Sequence, residues 1–150
     1  MFNKISEQQF NSSDPIFRVI IHDYPRKFGS LQLPNASHAL TMCWRSDLID
    51  PVIVHDPLSS SVWIGVDQRI ACVALTGSIL LSMNLNNSLL EIRHFENCTV
   101  ALCETQAMVF NHDYSLRKTC DLKNIAVSAD IKDDKLIVTL LDGEIEEYSI

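Results

Sequence analysis

Three His-Asp pairs, His22-Asp23, His55-Asp56 and His112-Asp113, each follow an apolar run. Imidazoles and carboxylates brought together could hold a divalent metal or act as an acid–base couple. Each pair is only two residues long, and Tyr or Pro follows it every time. That context points to turns, in which Asp accepts hydrogen bonds from nearby backbone amides. A metal-dependent hydrolase using the His-Asp turns is therefore an alternative that requires the pairs to converge in space. Other chemistry finds less support. Ser59-Ser60-Ser61 lacks a nucleophile elbow, and Gly29, Gly65, Gly77 and Gly143 are too few for a phosphate-cradling loop. Cys103 precedes Glu104, the wrong charge for activating a thiolate. The expectation is no catalytic residue, no metal and no cofactor.

The elements that would position these residues come from pattern. The chain has 150 residues, 47% of them apolar, a size that buries roughly 70% of the unfolded surface in one domain. No apolar run reaches the length of a membrane span, and the polar start MFNKISEQQFNSSD lacks a secretory pattern. A cytoplasmic protein is expected, and five cysteines, an odd number, fit free thiols in a reducing compartment. Residues 1–15 carry only a weak helical pattern around Ile5 to Phe10 and are read as a weakly structured segment of a single domain, 1–150.

Beyond them, short strands alternate with turns. Phe17 to Ile21 and Gly29 to Leu33 read as strands, while Ala39 to Trp44 fits a strand or a buried helical turn. From Val52 to Leu85 the chain reads as a four-stranded meander, with Thr76-Gly77 as one of its turns. A shift of 37 residues brings a similar rhythm at Leu89 to Leu122, and a further, shortened unit follows. The first two units share only Ser78/Ser115, Leu85/Leu122 and Asn87/Asn124 in this registration, so the repeat is one of strand phase. In the third, Asp142-Gly143 is the strongest hairpin signal.

Many short strands with regular turns indicate an all-β fold: antiparallel meanders in a β-sandwich or partly closed barrel. The alternative is a small propeller-like array of about 37-residue units. The segment VWIGVDQRIACVALTGSILLSMNL and its phase resemble propeller blades over roughly residues 50 to 150, without the glycine-histidine and tryptophan-aspartate marks of the best-known blades.

Charge suggests what the surface meets. The net charge is −7; residues 121–150 contribute eight acids and three bases, the first 120 residues eleven and nine. Such a surface repels nucleic-acid phosphates and attracts a basic protein. The candidate partner-binding residues are Asp130, Asp133, Asp134, Asp142, Glu144, Glu146, Glu147 and Tyr148, with Trp44 and Trp63 as further aromatic anchors. Of the tryptophans, Trp63, set among Val62, Ile64 and Val66, reads as core.

With acidic stretches at Asp130 to Asp134 and Asp142 to Glu147, the chain is similar, at class level, to immunity proteins of bacterial toxin-delivery systems, contact-dependent inhibition included. That resemblance implies a cytosolic, non-catalytic antitoxin that blocks the active site of a basic nuclease toxin. A propeller-type scaffold or regulatory subunit is the second reading.

Overall fold

In the computed structural model, which describes residues 1–150, the chain divides into two compact units, Met1–Asn84 and Leu85–Ile150. All 15 strands belong to four small sheets. No helix is long and apolar enough to cross a membrane.

The first unit opens with β1 (Phe2–Ile5) and α1 (Glu7–Ser12), inside the segment where sequence shows so little pattern. A capping box starts this helix: Gln9 N–H donates to Ser6 Oγ at 3.1 Å, and Ser6 N–H to Gln9 Oε1 at 2.8 Å. Next come β2 (Arg18–Ile20), β3 (Lys27–Leu31) and β4 (Leu40–Trp44), giving the order β1-β3-β4-β2. Only β2 runs parallel to its neighbour, β4. The ambiguous run at Ala39 to Trp44 is thus a strand, and all five residues of β4 are buried.

The unit's other sheet is the expected meander of β5 (Val52–Asp56), β6 (Ser61–Val66), β7 (Arg69–Ala74) and β8 (Ile79–Asn84). Val19, Leu31, Met42, Trp44, Val62 and Ile64 are among the residues of its core.

The second unit repeats this plan. β9 (Leu89–Phe95), β10 (Cys98–Cys103), β11 (Gln106–Phe110) and β12 (Leu116–Asp121) form one meander. β13 (Ala126–Lys132), β14 (Lys135–Leu140) and β15 (Ile145–Ser149) form a three-stranded last sheet. Val100, Leu102, Val109, Leu136, Val138 and Leu140 are central to its core.

The 37-residue phase is kept at the level of strand starts. Val52, Leu89 and Ala126 open first strands; Ser61, Cys98 and Lys135 open second strands; Ile79 and Leu116 open fourth strands. Single hydrogen bonds recur too. Glu104 N–H donates to Ser88 O, and 37 residues on Leu141 N–H donates to Ile125 O. Thr105 bonds Asn87 Oδ1, and its counterpart Asp142 accepts from Asn124 Nδ2. Two of the three shared positions therefore have a reason: Leu85 and Leu122 are both buried, and both asparagines tie one meander's entry to a turn.

Each sheet uses strands from one local stretch, so no strand crosses between sheets as in a sandwich, and no sheet closes into a barrel. The all-β reading holds, in the form of the array of about 37-residue units. Link length accounts for the hairpins within each sheet. Two residues join β6 to β7 and β9 to β10, which forces antiparallel neighbours into one sheet.

Candidate functional site

Charge singles out the second unit. Residues 85–150 hold twelve acids and six bases, against seven and six in residues 1–84. Cross-strand register in the last sheet then decides where those acids point. Asp130, Ile137 and Glu147 form one row, and Ser128, Thr139 and Ile145 the next. Asp130, Glu147 and Ile145 are exposed, so these rows make the outward face. Alternate rows, Ile131–Leu136–Tyr148 and Ala129–Val138–Glu146, turn toward the core, where Leu136 and Val138 are fully buried.

The eight candidate residues consequently do not form one cluster. Asp130 and Glu147 share the outward face. Asp133 and Asp134 make the β13–β14 turn, both at positive φ (50° and 57°). Asp142 and Glu144 lie in the opposite turn, separated from it by the six residues of β14, about 20 Å of strand. Glu146 and Tyr148 face inward. The Tyr148 hydroxyl sits 2.8 Å from Asp121 O and 2.7 Å from Glu146 Oε2, two acceptors for its one proton. Burial and then the neighbouring Glu146 carboxylate push its pKa up. Tyr148 is a tie within the second unit, and Trp44 (0% exposed) is core in the first, so neither is a free anchor. Trp63 is core, as read.

Asp142 is held in its turn. Asn124 Nδ2 donates to Oδ2 at 2.9 Å and Glu144 N–H to Oδ1 at 3.0 Å, and both bonds lower its carboxyl pKa. Sequence reasoning passed over a different group, Ile125, Val127 and Leu141, which stand exposed with Ile145 beside this turn. The available signal was the excess of branched residues on both faces of these strands.

In two of the His-Asp pairs the aspartate closes its own turn. Asp56 accepts from Leu58 N–H (2.9 Å) and Ser59 Oγ–H (2.5 Å). Asp113 accepts from Ser115 N–H at 3.0 Å and from its hydroxyl. Both are turn bonds of the expected kind. His112 Nε2 meets Glu96 O at 2.8 Å, and His55 is exposed. No three His, Cys, Asp or Glu side chains gather in a metal-holding group.

His22 is the buried imidazole, 6% exposed, with Nδ1 3.0 Å from Cys43 O. Burial outweighs that bond and holds its pKa below the ordinary value. The unfolded chain thus binds the proton more readily than the folded one. Stability from neutral His22 is complete above about pH 6.5 and is lost as pH falls below it toward the folded pKa. Urea midpoints measured from pH 7 downward should fall more steeply for the parent than for His22→Gln. Equal slopes would remove His22 from the acid response.

No protein-family model matches the chain, and no curated protein matches its sequence. Solved structures do match in fold. One is the computationally designed Ika8 protein, with TM-score 0.58, 12% identity, and 87% of this chain and 45% of that one covered. Another is the WD40 β-propeller domain of Doa1, with TM-score 0.57, 11% identity, and coverage of 85% and 49%. The chain has a propeller-like fold. At such identity the likeness is one of fold alone, and the propeller-like chain spans less than half the length of either structure. Its sheets answer to blades, and the 37-residue phase is the blade repeat.

Proposed function

We propose that this propeller-like chain is a non-catalytic scaffold that binds a basic protein through its acidic second unit. The observation that supports the reading is the excess of six acids over bases in residues 85–150, with Asp130 and Glu147 on an outward sheet face. Opposed charge accelerates encounter and rejects acidic competitors. The narrower form of the proposal makes the partner a nuclease toxin. Its Lys and Arg, which would otherwise grip phosphates, would pair with these carboxylates and leave its active site covered. The acidic charge supports that form.

The test uses the partner co-purified from the native host and follows its association at low and high salt. The variant Asp130→Lys/Glu144→Lys changes exposed charge while sparing Asp142 and Glu146, which hold the turn and Tyr148, and Glu147, which pairs with Lys135. It should slow association about tenfold or more at low salt, with unchanged thermal stability. Association indifferent to both salt and variant would reduce the acids to a solvated face.

A further inference from the structure

We infer that the outward face of the last sheet, at its β14–β15 turn, is the docking surface for that basic partner, an inference resting on the function proposed above. Leu141 (66% exposed), Ile145 (62%), Val127 (56%) and Ile125 (42%) stand there together. The ladder makes them neighbours. Leu141 N–H bonds Ile125 O, the row beside it joins Thr139 to Ile145, and Val127 lies in the bulge between Ala126 and Ser128. Adjacent side chains in and between such rows come within contact distance.

Single exposed aliphatics are ordinary on a protein surface, whereas a contiguous group marks an interaction site. The sheet's other face already supplies Leu136, Val138 and Leu140 to the core, so this group is surplus to the packing of its own unit. β15 is also the edge of its sheet. Of its backbone groups pointing away from β14, Ser149 O accepts from Lys118 Nζ, while those of Ile145 and Glu147 have no ladder partner and can meet an extended segment.

Charge identifies the occupant. Asp142 and Glu144 rim the apolar group at the turn, and Asp130 and Glu147 rim it one row along. The Lys135–Glu147 pair, 3.3 Å, offsets one of these four charges, and Lys123, beside Ile145 and Glu147, is itself offset by Glu146 at 3.9 Å, so the rim stays acidic. A second copy would bring the same acids against one another, so the fitting partner presents apolar side chains flanked by Lys or Arg. This is the usual anatomy of an apolar centre within a polar rim.

The probe is a short alternating Leu–Lys peptide, with a Leu–Glu peptide as control, titrated into the isotope-labelled full chain. The Leu–Lys peptide should move the Val127, Leu141 and Ile145 amide resonances saturably, and the Leu–Glu peptide should bind at least about tenfold more weakly. Val127→Ser/Leu141→Ser, which alters only exposed side chains, should weaken Leu–Lys binding about tenfold with the thermal midpoint kept. Equal binding of both peptides overturns the charge assignment. Shifts confined to the Asp133–Asp134 turn, or a native partner indifferent to Val127→Ser/Leu141→Ser, overturn this face while leaving the basic-partner function standing. Self-association abolished by the same variant overturns the heterologous occupant in favour of a second copy.

Discussion

Trp44→Ala is expected to lower the stability of the first unit by about 3–5 kcal/mol, a large share of the roughly 5–15 kcal/mol that holds a domain folded. The indole is fully buried on β4, and its Nε1–H donates to Ile49 O at 2.9 Å. Phe2 lies tilted against it with ring centroids 6.3 Å apart. Gly29 is the residue that admits both rings: a Cβ there would lie 2.5 Å from Phe2 Cε2 and 3.3 Å from Trp44 Cζ3. Alanine at position 44 leaves a cavity between these groups, because β3 and β4 are tied by backbone bonds and cannot collapse into it. Trp44→Phe separates the contributions. It keeps most of the ring volume and strands the Ile49 carbonyl, for an expected loss of about 1–2 kcal/mol. Urea unfolding followed by circular dichroism gives both values. An alanine variant within about 1 kcal/mol of the parent would be incompatible with an indole packed this tightly.

Strand phase was legible because it depends on local chemistry. The two-residue links, Gly77 at φ 96° and Gly143 at φ 86° each act over a few residues. The same turn recurs at Tyr114, φ 69°, where no glycine marks it. Facing was harder to read. The alternation in β15 separates Ile145 and Glu147 from Glu146 and Tyr148, but each set contains one glutamate and one large apolar residue. Polarity therefore cannot say which set is wet; packing against Leu136 and Val138 decides it. Val127 lies in a bulge, and a bulge shifts the two-residue period that sequence reasoning relies on. The parallel pairing of β2 with β4 depends on contacts across more than twenty residues, beyond any local pattern. Sandwich and propeller use the same hairpins, so turn chemistry alone could not separate them.

Native thiol labelling should be nearly silent although the chain carries five free cysteines, all buried. Burial raises the pKa of every one, taking Cys72 to about 11 and Cys103 to about 12, where Glu104 adds to the effect. At pH 8 a thiol of ordinary pKa is about a quarter thiolate, and one at about 12 only about one part in ten thousand. Alkylation of Cys103 should therefore run at least about a thousandfold slower than with an ordinary thiol such as glutathione, and that of Cys72 at least about a hundredfold slower, before restricted access is counted. In denaturant all five should react promptly. The slow native reaction then reports opening of the core, since only an opened segment exposes and ionises its sulfur. Cys98 and Cys120 share one core cluster and should label together, with Cys43 and Cys72 of the first unit free to follow a different rate. Mass spectrometry of a time course distinguishes the sites. A cysteine alkylated at a rate near that of glutathione would show that its strand is not packed as described, and for Cys98 or Cys120 it would remove the wall against which the acidic sheet is held.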